Sequence, residues 1–203
     1  MSGRQSAEDR KSQIVGEVLR LADEIGPDRL STTDVARAIG LSQPAIFRHF
    51  PTKGALWLAV AEDIADRLQD RWTAAEASAT GPHDRLRALI AAQLTAIAET
   101  PALPSILFSR ELQVDNPALR DVFRGLLAGF QSRLVAVIRD LQAADELRQD
   151  ISPEDVAVLL TSLVQGVAIR WTLGARGFSL VPEGLRLLDV QMALLSGQAV
   201  SGR

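Results

Sequence analysis

The chain has 203 residues, 47% of them hydrophobic, and 22 Lys and Arg against 25 Asp and Glu give a net charge of −3. At this length roughly 70% of the unfolded surface can be buried, so folding needs no disulfide or metal, and the lack of any cysteine excludes disulfides, thiolate metal sites and cysteine nucleophiles. Two histidines, His49 and His83, are too few for a histidine metal cluster, and the acidic balance excludes a general polyanion binder, so any nucleic-acid site must be a local patch.

The opening "MSGRQSAEDRKSQ" is polar and lacks the apolar core of a signal peptide. The most apolar stretch, "VAVLLTSLVQGVAI" (156–169), carries Thr, Ser and Gln and is too short to span a bilayer. The expectation is a soluble cytoplasmic protein with no membrane partner and no cofactor.

The apolar residues recur at the helical period throughout, and no stretch alternates like a strand, so the fold class is all-α. Ile14, Val18, Leu21 and Ile25 stripe a first helix, which Gly26-Pro27 ends. A second helix spans about Thr32–Ile39, a third about Gln43–Phe50, and a long fourth runs from after Thr52 to about Ala77. "TGPHD" (80–84) breaks it. Leu86, Leu89, Ile90, Leu94 and Ile97 mark a fifth, "TPALP" stops that one, and a sixth covers about Pro104–Val114. Asn116-Pro117 is an N-cap followed by proline at the first helical position. It opens a seventh helix striped by Leu119, Phe123, Leu126, Phe130, Leu134, Val137 and Leu141. "SPED" (152–155) resembles a capping box and starts the eighth, which ends near Gly174; Pro182 opens the ninth. The result is a nine-helix plan: an N-terminal three-helix unit in residues 1–55 and a helical C-terminal domain in 56–203.

The eighth and ninth helices are apolar nearly all round, so each is buried on more than one side. The middle of a monomeric core and a subunit interface both satisfy this. A closed two-fold homodimer is the expectation, with Leu159, Leu163, Leu188, Met192 and Leu195 at its interface.

The second and third helices carry the functional signal. Val35, Ala36, Ile39, Leu41, Ile46 and Phe50 can all point inward if the chain turns sharply at Gly40, where glycine permits a positive φ. Ala36 is small enough for a close helix approach. Ser31 with Asp34 can cap the second helix, Ser42 can cap the third, and Pro44 costs little in a first turn. This is a helix-turn-helix pattern. In such a unit the second helix enters the major groove with its N-terminal residues on base edges, here Gln43, Pro44 and Ala45, with Arg48 a turn further on. Gln pairs with adenine, Arg with guanine, and Ala or Pro meets a thymine methyl. Thr33, His49 and Lys53 suit phosphate contacts, as do the helix N-termini at 32, 43 and 53.

"TTDVARAIGLSQPAIFRHFPTKGALW" resembles the DNA-binding region of the tetracycline-repressor (TetR) family of bacterial regulators, with Thr33, Ala36, Gly40, Ser42, Phe47, His49, Phe50, Lys53 and Leu56 matching its pattern in order. "ELRQDISPEDVAVLLTSLVQGVAIRW" (146–171) is similar to the entry into the eighth helix of many members. The resemblance implies DNA-facing roles for Thr33, Ser42, Gln43, Pro44, Ala45, Phe47, Arg48, His49 and Lys53. Phe47 departs from the tyrosine common in the family, which leaves packing or methyl contact as its role. The resemblance further implies a repressor, or less commonly an activator, on a palindromic site. It also implies a pocket enclosed by the fifth to eighth helices for a small effector, expected to be uncharged and apolar. Gln93 and Gln165 interrupt apolar helices there, and Phe108 and Trp171 could supply aromatic walls; the two glutamines could equally satisfy backbone or interface hydrogen bonds.

An enzyme is disfavoured: no catalytic or metal-binding spacing is present, and neither "GLLAGF" nor "GARGF" follows a strand as a nucleotide loop would. A ligand-independent DNA-organising or protein-binding protein of the same fold is the alternative.

Overall fold

The computed structural model describes residues 7–196 and, among these, contains ten helices and no strand. They are α1 (Ala7–Ile25), α2 (Thr32–Ala38), α3 (Gln43–His49), α4 (Lys53–Ser78), α5 (Pro82–Glu99), α6 (Leu103–Phe108), α7 (Arg110–Asp115), α8 (Pro117–Ala143), α9 (Pro153–Leu173) and α10 (Leu180–Ser196). Six of the thirteen residues in the polar opening stretch lie outside the described residues.

The tenth helix arises because the expected sixth is two. Ser109 leaves the helical region (φ −66°, ψ 109°), and its hydroxyl accepts the Leu112 N–H at 3.0 Å, which caps α7. The same hydroxyl donates to the Asp28 carboxylate. At 5% exposure Ser109 is better satisfied in this capped corner than inside a continuous helix, where it would compete with the backbone.

Two compact units divide the chain, and the division does not follow the sequence boundary at 55. The first comprises the described residues up to Asp66 together with Thr100–Arg124; the second comprises Arg67–Glu99 and Gly125 onward. The segment 100–124, assigned by sequence to the C-terminal domain, thus packs with the helix-turn-helix, and α6 lies on α1. The core of the first unit is Ile14, Val18, Val35, Ile46, Trp57, Val60, Ile106 and Leu119, each at most 2% exposed. Ile25, expected on the inner stripe of α1, is 40% exposed.

The second unit is organised around α5, α9 and α10. Gly184 makes the α5–α10 approach possible: a Cβ there would lie 2.4 Å from Leu94 Cδ1. Helix α9 is 21 residues long and, with a mean hydropathy of 1.6 over its best window, is by length and composition alone long and apolar enough to cross a membrane, although the apolar stretch 156–169 within it is not. Its Val156, Leu160, Val164, Val167 and Trp171 are buried within the unit, while Val158, Leu159 and Ile169 are exposed. Buried Thr161 spends its hydroxyl on the Ala157 carbonyl at 2.7 Å.

Candidate nucleic-acid interface

Helix α2 is held at both ends by its own sequence. Ser31 Oγ accepts the Asp34 N–H at 3.2 Å and Asp34 Oδ2 accepts the Ser31 N–H at 3.1 Å, a complete capping box. Hydrogen bonds from the Ser31 hydroxyl, then from its backbone, hold the Asp34 carboxyl below the usual range, with Arg37 adding a favourable charge. At the other end Gly40 adopts φ +67°; its N–H reaches the Arg37 carbonyl at 3.3 Å and the Leu41 N–H reaches Ala36 at 2.9 Å. This paired termination is a Schellman motif, which requires the left-handed residue that glycine supplies.

Ser42 does not cap α3 with its side chain. Pro44 has no N–H to offer, and the Ala45 N–H bonds the Ser42 carbonyl at 2.9 Å, so the hydroxyl has no donor to receive. The helix then divides cleanly by face. Val35 and Ala36 of α2 and Ala45, Ile46 and Phe50 of the α3 region are buried, while Leu41 and Ile39 are half-buried. Ala45, expected on the reading face, is only 6% exposed and packs inward. Outward lie Gln43, Pro44, Phe47 and Arg48, with His49 half-buried beside them and Phe47 37% exposed. Thr33, Ser42 and Lys53 are exposed as well.

Among the described residues neither Arg48 nor Lys53 forms an ion pair with a carboxylate, whereas the neighbouring Arg37 is tied to Asp34 at 3.3 Å. Lys53 therefore keeps an uncompensated positive charge at the N-terminus of α4, where the helix dipole disfavours a cation. Thr52 Oγ1 caps that turn by accepting the Ala55 N–H at 3.0 Å. A buried residue that the sequence did not single out stands behind this face: Thr32, whose Oγ1 accepts a hydrogen bond from Gln43 Nε2 at 2.9 Å. Only the fold brings these two together, so periodicity carried no signal of it.

Three of the expected effector residues, Gln93, Gln165 and Trp171, belong to the second unit. Gln93 accepts the Trp72 indole N–H at 3.0 Å, and Trp171, 7% exposed, donates its own to the Phe178 carbonyl at 3.1 Å. Gln165 is half-buried on α9. Phe108 belongs to the first unit and is 52% exposed.

The residues expected at a subunit interface fall on different sides of α9 and α10. Leu188 and Leu195 are 2% and 6% exposed and face into their own unit, because α10 lies across α5. Met192 lines a polar groove with His83, Asp145, Glu146 and Asp189. An open groove of about 710 Å³ between α9 and α10 brings Leu159 and Leu163 together with Leu187, Val190 and Leu194.

A capped helix, a glycine turn and a second short helix with a polar outer face define a helix-turn-helix regulator on an all-α body. Residues 16–60 match the family model described as bacterial regulatory proteins of the tetR family, and residues 82–188 match the C-terminal region of BetI-type transcriptional repressors. The chain belongs to the TetR family of DNA-binding transcription regulators. Among relatives, the nucleoid occlusion factor SlmA of Vibrio cholerae is 24% identical over 98% of this chain and 99% of its own. A transcriptional regulator of Saccharomonospora viridis solved in complex with choline superposes with a TM-score of 0.79 at 23% identity, covering 90% of this chain and 95% of that one. A TetR regulator from Haloarcula marismortui gives 0.78 at 22% identity over 93% and 98%.

Proposed function

We propose that the protein is a repressor that binds a palindromic operator as a homodimer and is released by a small effector. The observation that carries this reading is the outer face of α3, where Gln43, Pro44, Phe47 and an Arg48 with no ion pair among the described residues stand together over a buried apolar side. Gln43 and Arg48 read base edges, and Thr33, Ser42, His49 and Lys53 hold phosphates, fixing register without reading sequence. The α9–α10 groove is covered by a second copy of the chain, and the pair sets its recognition helices in successive major grooves, ~34–36 Å apart. The functional division runs from the helix-turn-helix in residues 1–55 to effector binding and dimerisation in the remainder. The choline complex of the Saccharomonospora regulator supports a small-molecule effector here, taken up by the second unit. Binding would shift the population between arrangements that fit the operator and arrangements that do not. The site of action is the cytoplasm.

The test is retention of duplex fragments from the host genome by the purified full-length chain. With ~6–10 phosphate contacts, affinity should fall steeply as salt rises. Failure to bind any fragment at low ionic strength, or a salt slope near zero, overturns the reading.

The full-length match to the SlmA relatives favours a second reading, in which the chain organises DNA at many sites without an effector. Occupancy mapped across the host chromosome separates the two: a few sites upstream of genes support the repressor, and many sites spread along the chromosome support the organiser.

A further inference from the structure

We propose that Thr32 is a positioning residue for base recognition, holding the Gln43 amide in the one orientation that reads adenine; this rests on the DNA-binding reading above. Gln43 opens α3 with an exposed side chain, yet its Nε2 donates to Thr32 Oγ1 at 2.9 Å. Thr32 is the first residue of α2 and only 8% exposed, so the acceptor sits on a fixed element. The buried contacts of Val35, Ala36, Ala45 and Ile46 and the Gly40 turn set the spacing between the two helices. A surface glutamine would otherwise rotate its amide freely and lose that freedom only on binding.

The chemical consequence follows from counting donors. A carboxamide has two N–H donors and one carbonyl oxygen. Thr32 takes one N–H, which leaves one donor beside one acceptor for a base edge. Adenine presents the matching pair in the major groove, the N7 acceptor and the N6 donor, whereas guanine presents two acceptors, N7 and O6. A free glutamine could turn both N–H groups toward guanine, but one held by Thr32 cannot. Thr32 therefore makes Gln43 selective without touching DNA itself.

The experiment is selection of bound duplexes from a randomised pool by the full-length chain and by Thr32→Val, Thr32→Ser and Gln43→Ala. We expect one position of the selected motif to prefer adenine in the unaltered chain and to lose that preference in Gln43→Ala. At that position Thr32→Val should lower the adenine-over-guanine ratio by about tenfold, leave the rest of the motif intact, and keep low-salt affinity for unrelated duplex. Thr32→Ser, which keeps the hydroxyl, should retain the preference. An unchanged ratio in Thr32→Val, or a Gln43→Ala motif identical to the parent, overturns the proposal while leaving DNA binding standing. So does loss of the whole motif in both Thr32 variants, which is the mark of a merely structural role. A parent chain that selects no motif overturns the DNA-binding reading and this one with it. A measurement that needs no variant is side-chain amide relaxation by NMR in the free protein: Gln43 should be markedly more ordered than exposed Gln69, and equal mobility overturns the proposal.

Discussion

The Trp72 indole N–H donates to the Gln93 side-chain carbonyl at 3.0 Å, joining α4 to α5 inside the second unit. Trp72 is 2% exposed; its ring lies 5.0 Å from that of Phe130, and the Arg133 guanidinium stands 5.9 Å from its centroid. Arg133 is held there by Glu76 and by Thr73 Oγ1. Gln93 thus interrupts an apolar helix because an indole buried beside it needs an acceptor.

Replacing Gln93 with Leu keeps the volume and removes the acceptor, leaving the indole N–H buried without a partner. The expected cost is ~1–3 kcal/mol, read as a lower denaturation midpoint at an unchanged slope. A midpoint equal to that of the parent would mean that the amide serves something other than Trp72.

Gly40→Ala forces a Cβ into φ +67°, although nothing lies within 4 Å of the added carbon. The penalty is therefore backbone strain alone, ~1–2 kcal/mol. Thermal unfolding should show the loss, and Gly40→Asn should recover part of it, because asparagine tolerates the left-handed region better than alanine.

The helix-turn-helix was legible because its determinants are local: Ser31 and Asp34 lie three residues apart, Gly40 ends α2, and the apolar spacing around it is helical. The sequence is silent where the deciding partner is distant or where apolar residues crowd every face of a helix. The break at Ser109 depends on Asp28, 81 residues away in the chain. Ser42 fails as a cap because the proline two residues on removes a donor, and Ala45 turns inward because successive helical residues point about 100° apart, so three in a row do not share one face. On α9 and α10 apolar residues fall on every face, so periodicity does not tell the side facing α5 from the outer side. That is why the sequence offers Leu188 and Leu195 for a subunit interface although both are buried within one chain.

The capping box makes a pH prediction with a definite sign. Ser31 hydrogen bonds lower the Asp34 carboxyl in the folded state. A group lowered on folding contributes stability that is present above its unfolded value, ~3.9 for aspartate, and is lost as pH falls through its folded value. Stability measured from neutral pH downward should decline through this acid range. Ser31→Ala should lower the neutral-pH plateau and flatten that limb. A parallel decline in parent and variant would show that Asp34 is not held by Ser31.

Buried Ser109 joins two backbone segments of the first unit, capping α7 while donating to Asp28 in the loop before α2. Ser109→Ala removes both bonds at once, and the expected destabilisation is ~1–3 kcal/mol. Asp28→Asn keeps an acceptor for the hydroxyl and should cost less. Equal losses in the two variants would place the stabilisation in the aspartate charge rather than in the serine bonds.

Leu194 is 64% exposed and Leu188 2% exposed on the same helix, so the two leucines separate association from folding. Leu194 lies on the α9–α10 groove with Leu159, 45% exposed, and an aspartate at either position puts a charge where a second copy of the chain should pack. Sedimentation of Leu194→Asp and Leu159→Asp should show monomers with the parent's helix content, because the substituted side chains face solvent within one chain. Leu188→Ala should instead lose ~2–5 kcal/mol of stability by opening a cavity against α5 and, while folded, keep the parent's association. Dimers of undiminished affinity in both aspartate variants would move the subunit interface away from this groove, and with it the spacing that sets two recognition helices on one operator.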